Sequence, residues 1–284
     1  MTIEDEIADL EQKLQTARNR LNPKPSNRPI GMANSSNTSA LHTLLLLADS
    51  QLPLGSFAFS SGLESYLAHH RPSPLSASQL PSFYNFLRLS LSTLSSTALP
   101  YVLNAYRYPN TLEDLDNDFD ASTPCTVARR ASVAQGKALI GVWDRSYRQH
   151  HKGSLDHVES VKVLSSFHKS LRHGGIQGVE WQSNGHLAPL WGIVTLVLNV
   201  PLYESAYLFL FSHARTVLGA AVRSSVMGPY QAQAVLASSD LQNQINDLVQ
   251  EKWDRKIEDA GQSVPVMDLW VGRHEKLYSR IFNS

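Results

Sequence analysis

A single cysteine, Cys125, among 284 residues excludes an intrachain disulfide and any metal cage built from several thiolates. Charge of either sign is not in excess: Lys plus Arg and Asp plus Glu both number 25, so the formal net charge is zero at neutral pH. The molecule as a whole therefore has no electrostatic reason to favour nucleic acid or an anionic membrane, although a local basic patch stays open. Near-zero net charge also leaves little colloidal repulsion, which fits a protein that depends on partners for solubility. The N-terminus starts acidic and carries no apolar h-region, so it does not read as a secretory signal, and cytoplasmic residence is expected. Catalytic signatures are missing as well. Gly136-Lys137 is followed by Ala138 and sits in a helical pattern, so it is no phosphate-binding loop. No GxSxG elbow occurs, and no glycine-rich turn follows a strand. Few stretches alternate with period two, which argues against an α/β enzyme.

What is present is helical periodicity, and it centres on residues 187–236. Pro189-Leu-Trp-Gly-Ile-Val-Thr-Leu-Val-Leu is interrupted by Asn199-Val200-Pro201 and resumes as Leu202-Tyr-Glu-Ser-Ala-Tyr-Leu-Phe-Leu-Phe. Prolines suit helix starts, where the missing N–H costs nothing. The stretch predicts a short helix, a sharp turn and a long helix apolar nearly all round, the pattern of a helix inside a core. A membrane span is disfavoured: the first run is too short, and Glu204, His213 and Arg215 interrupt the second. Small residues at Ala214, Gly219, Ala220 and Ala221 predict close approach by another backbone.

Before this centre, Ile3, Ile7, Leu10, Leu14, Ala17 and Leu21 form a short heptad seam, and residues 22–39 read as a linker. Two regions result, a flexible arm over 1–38 and an all-α domain over 39–284, with roughly eight to eleven helices expected from the periodicity. Ser61 and Glu64 have capping-box spacing, predicting a helix start near Ser61. Around them Pro53 and Gly55 punctuate an apolar loop, Leu52, Phe57 and Phe59 are expected to fill the core, and Gly55 and Gly62 to allow tight approach. Residues 76–106 fit one long helix or two meeting near Pro100. The run 110–123, with Glu113, Asp114, Asp116, Asp118 and Asp120, lacks the sixth-position glycine and twelfth-position glutamate of a calcium loop and reads as a solvated loop. Residues 150–186 hold His150, His151, His157, His168, His173 and His186 without the pairing of a metal motif, so no resident metal is expected.

Three segments carry a family resemblance. Leu44-Leu-Leu-Leu-Ala-Asp-Ser-Gln-Leu-Pro-Leu-Gly-Ser-Phe-Ala-Phe-Ser-Ser-Gly-Leu-Glu resembles the leucine helix, proline-glycine loop and aromatic-Ser-x-Gly-Leu-Glu helix start of the UreF urease accessory proteins. Residues 186–236 resemble that family's apolar helix pair followed by a Leu/Met-Gly-x-x-x-Gln segment, here Met227-Gly-Pro-Tyr-Gln-Ala-Gln. The terminus His274-Glu-Lys-Leu-Tyr-Ser-Arg-Ile-Phe-Asn-Ser is similar to the family's closing His-acid-x-x-Tyr-Ser-Arg-Leu-Phe-Arg-Ser. The long arm and the enlarged acidic and histidine-rich segments look like a eukaryotic, fungal-like member. Asn283 stands where arginine is usual, and Ala58-Phe59 where Ser-Tyr is common.

The resemblance implies a non-enzymatic helical scaffold without a cofactor. Its implied partners are a UreD/UreH-type accessory protein, the nickel-carrying GTPase UreG and, through the complex, apo-urease, with neither nucleic acid nor membrane. His274, Tyr278, Arg280 and Phe282 are the expected contact with the UreD/UreH-type protein. Met227, Gly228, Gln231 and Gln233 are the expected surface for self-association, as in a homodimer, or for the GTPase. Pro53, Gly55, Ser60, Gly62 and Glu64 form an architectural motif. The competing reading from the residues alone is a helical module that binds a small ligand or lipid.

Overall fold

The computed structural model describes residues 35–69, 79–149, 157–173 and 183–283. The heptad seam of the arm, His150 and His151, and the glycines Gly174, Gly175 and Gly178 lie outside them, as does the side chain of His173. Contacts divide the chain into two units, Met1–Ser39 and Ala40–Ser284, and the core lies in the second.

The described residues are all-α. They form twelve α-helices and no strand. These are α1 (Ser35–Ala48), α2 (Leu63–His69), α3 (Leu80–Thr97), α4 (Leu99–Arg107), α5 (Leu112–Ser122) and α6 (Thr126–Val142). After a π-turn at Trp143–Tyr147 come α7 (Val158–His173), α8 (Leu187–Val197), α9 (Leu202–Arg223), α10 (Pro229–Leu236), α11 (Ser239–Lys252) and α12 (Val266–Arg273). Two features take the number past the expected range. The stretch 229–253 forms two helices separated at Ala237-Ser238, where Ser238 Oγ caps α11 by accepting from Leu241 N at 3.2 Å. The acidic segment 110–123, read as a solvated loop, forms helix α5 over Leu112–Ser122. Leu112, Leu115 and Phe119 recur at helical spacing and are buried, an apolar stripe that the intervening acids hide in the sequence.

Residues 188–197 of α8 are all buried, and α8 packs chiefly against α4 and α6. Glycine makes this closeness feasible. A Cβ on Gly192 would lie 2.2 Å from the Val102 carbonyl oxygen of α4, and one on Gly136 would lie 2.1 Å from the Gly185 carbonyl oxygen ahead of α8. The expected close approach at Gly219 is not realised, because a Cβ there meets nothing within 4 Å. The turn into α9 uses Asn199 at φ 57°, a residue whose short side chain tolerates left-handed backbone. Buried polar atoms tie the two helices: Trp191 Nε1 donates to the Ser205 carbonyl (3.1 Å), and Thr195 Oγ1 lies 2.6 Å from Ser205 Oγ. No described helix is long and apolar enough to cross a membrane.

Candidate functional site

Glu64 is the residue on which the C-terminal segment converges. It lies in the first turn of α2 beneath the last residues of the chain. Its Oε1 accepts from Ile281 N at 2.7 Å, and its Oε2 accepts from Phe282 N at 3.2 Å. His274 Nε2 donates to the same Oε2 at 2.9 Å, and the His274 ring is fully buried. Asn283 N adds a bond to the Ala58 carbonyl at 2.8 Å. Phe282 is buried, with the Arg223 guanidinium 4.3 Å from its ring centroid. One carboxylate thus holds an imidazole and two backbone N–H groups, a charge-assisted clasp that keeps the tail on α2.

The expected Ser61–Glu64 capping box is therefore not formed. Ser61 takes left-handed φ of 53°, α2 begins at Leu63, and the cap to Glu64 N comes from Ser60 Oγ at 3.4 Å. The Glu64 side chain turns from its own helix end to the tail. Gly62 behaves as expected of a close-contact position: its φ is 87°, and an added Cβ would meet Val271 Cγ2 at 2.9 Å. Gly55 has open space around its Cα, so its φ of 68° is what calls for glycine. Pro53 is exposed, Ser60 buried, and Leu52 and Phe59 half-buried. Phe57, expected in the core, is 72% exposed, since the 3₁₀ turn at Ser56–Ala58 throws it outward.

The four tail residues thus separate into two pairs. His274 and Phe282 are occupied within the chain, while Tyr278 and Arg280 are exposed, together with Ile281. A cleft of about 550 Å³ runs between the tail and α6, with Arg130 and Arg280 on its walls. Arg130 pairs with Glu275 at 2.5 Å.

The second expected surface is split in the same way. Met227 is buried, whereas Gly228, Gln231 and Gln233 are exposed. Gln231 Oε1 accepts from Gly228 N at 3.1 Å, so that amide oxygen stabilises the start of α10. Tyr230, not singled out from sequence, is 90% exposed beside them. An aromatic next to a Gly-Pro helix start was the available signal.

Other polar residues serve the fold. Asp116 is fully buried; its carboxylate accepts from Asn184 N (2.6 Å), Gly185 N (3.0 Å) and His186 N (2.6 Å). His186, also fully buried, lies 3.0 Å from Asp120 through Nε2 and 3.1 Å from Ser132 Oγ through Nδ1. Among the described residues no three His, Cys, Asp or Glu side chains are grouped to hold a metal. His213 in α9 bonds Ser90 Oγ through Nε2, and burial lowers its pKa to about 4.

These features define a helical scaffold: its buried carboxylates and imidazoles hold its own chain, and side chains not so engaged lie on a clasped tail and a helix entry. The UreF family profile matches residues 80–240. The chain is 35% identical over 243 residues to a UreF-like urease accessory protein of Schizosaccharomyces pombe, covering 86% of this chain and 97% of that protein. It is 27% identical to urease accessory protein 6 of Cryptococcus neoformans (86% and 97% covered) and 31% identical to urease accessory protein F of Arabidopsis thaliana (84% and 90% covered). The chain belongs to the UreF family. It is accordingly a non-catalytic accessory protein with a general role in urease maturation.

Proposed function

We propose that this chain is a fungal-type UreF scaffold that brings a UreD/UreH-type accessory protein and the GTPase UreG together on apo-urease. Nickel is then cargo of the GTPase and is not resident in this chain. The observation that carries the reading is the clasp at Glu64. It spends His274, Phe282 and two backbone N–H groups on holding the tail, and leaves Tyr278, Arg280 and Ile281 facing outward. An exposed tyrosine, a forked guanidinium and an aliphatic side chain on one anchored strap suit a protein interface. On this reading the UreD/UreH-type protein meets the tail, His274 and Phe282 set its position, and an acidic group of the partner reaches Arg280.

The Met227–Gln233 surface, with Tyr230, serves the GTPase or a second copy of the chain. The domain is residues 39–284, organised round the α8–α9 pair, with 1–38 an appended arm, and the protein works in the cytoplasm without nucleic acid or membrane. The ligand-binding module, open on residues alone, is set aside as the principal role by family membership.

The test is co-expression of the full chain with both accessory proteins, followed by size-exclusion chromatography and an assay of nickel-dependent urease activation. A co-eluting complex that activates apo-urease is expected. Separate elution of the three proteins, with activation that does not require this chain, would refute the reading.

A further inference from the structure

Between α3, α5, α6, α8, α9 and α12 lies a cavity of about 330 Å³. It falls within the size range of small-molecule pockets. Leu94, Phe119, Ala131, Ala188, Phe209 and Met267 make much of its wall apolar.

Most polar lining atoms are already engaged. Thr97 Oγ1 donates to the Thr93 carbonyl (2.8 Å), Thr123 Oγ1 to the Phe119 carbonyl (2.7 Å), and Gln135 Nε2 to the Ala131 carbonyl (3.2 Å). Thr93 Oγ1 differs: it is buried and has no hydrogen-bond partner. His213 lines the same space, with Nε2 on Ser90 Oγ. The ring has partial surface exposure yet a strongly depressed proton affinity. With its proton affinity lowered by burial, the ring is neutral at pH 7. Asp268 is the one carboxylate on the wall.

We infer that this pocket is a binding site for a mainly apolar small molecule without negative charge, whose single hydrogen-bonding group meets Thr93 Oγ1 as that side chain turns toward the pocket beside His213. The apolar wall rewards burial of a ring or alkyl body, and an unengaged buried hydroxyl rewards one polar group. An anion would meet Asp268 without a cationic partner, so a negatively charged ligand is disfavoured. The site lies apart from the Met227–Gln233 surface, shares Phe59 and Ala131 with the cleft beside the tail, and does not depend on the proposed partners.

The test uses the full-length chain and 2-naphthol at pH 7, followed by the probe's fluorescence and by calorimetry. Saturable one-to-one binding is expected. Thr93→Val, which keeps the shape and removes the hydroxyl, should weaken it about tenfold. Ala131→Phe, which fills the space from a half-buried position, should abolish it; Ala128→Leu is the replacement if circular dichroism shows that variant unfolded. 2-Naphthoate, which would meet Asp268, should bind at least tenfold more weakly. Failure of 2-naphthol to saturate, unchanged affinity in either variant, or equal binding of 2-naphthoate would overturn the inference.

Discussion

Replacing Asp116 by alanine should destabilise the domain far more than any other change in the acidic run. The carboxylate is fully buried and accepts from three successive backbone N–H groups, those of Asn184, Gly185 and His186. These bonds fix the chain just before α8, whose residues 188–197 are all buried. Hydrogen bonds to a charged acceptor contribute about 1.5–3 kcal/mol each, and a buried donor left unmatched costs about 1–3 kcal/mol. Three such donors cannot all be lost additively, since water or local relaxation recovers part of the cost. A loss of roughly 3–5 kcal/mol is expected, a large fraction of the ~5–15 kcal/mol that stabilises a domain. Asp116→Asn should recover only part, because its amide presents donors to donors. Urea unfolding followed by circular dichroism at pH 7 measures the loss, with the m-value checking that two-state behaviour persists. Asp114→Ala is the control: Asp114 is exposed, and its replacement should stay within about 0.5 kcal/mol. A loss below about 1 kcal/mol for Asp116→Ala, with the fold intact, would refute the claim that this carboxylate pins α8.

Further consequences concern the helix contact, the clasp and pH. Gly192→Ala should cost about 3 kcal/mol in the same unfolding assay, since its Cβ would meet the α4 backbone at 2.2 Å. Glu64→Ala should free the tail, seen as rapid limited proteolysis after residue 276 of an otherwise folded chain. His213, with its folded pKa of about 4 below the ordinary 6.5, leaves stability unaffected above pH 6.5. Between pH 6.5 and 4 the unfolded state binds a proton that the folded state refuses, so stability falls as pH drops, by up to ~3 kcal/mol. His213→Gln should flatten that part of the pH–stability curve, and an unchanged slope would contradict the assignment.

The helices were legible wherever the apolar stripe was clean. The run Pro189 to Phe211 shows both helices and the turn between them, because prolines and Asn199 mark the boundaries. The acidic run misled, since Leu112, Leu115 and Phe119 are outnumbered by charge and the burial of Asp116 depends on amides some seventy residues away. The same limit applies to Glu64. Its spacing from Ser61 suggests a local cap, yet its partners are His274, Ile281 and Phe282, a pairing that only the fold brings together. Phe57 was misplaced because a 3₁₀ turn, not a strand or helix, decides which way it points. The C-terminal residues were visible as a group, but their division into buried anchors and exposed contacts follows from tertiary structure alone. Nothing in residue spacing signalled the cavity beside His213.

The most direct test of the scaffold account is the affinity of the UreD/UreH-type partner for a Tyr278→Ala/Arg280→Ala variant. Deleting the tail would also remove the buried Phe282 and two of the three partners of Glu64, confusing folding with binding. The double variant changes exposed side chains only. Calorimetry with the purified partner, alongside circular dichroism and nickel-dependent urease activation, gives the answer. The account predicts an unchanged fold, affinity reduced at least a hundredfold, as two central contacts of about 1.4 kcal/mol or more each would give, and loss of activation. Wild-type affinity and activation in a folded variant would contradict it.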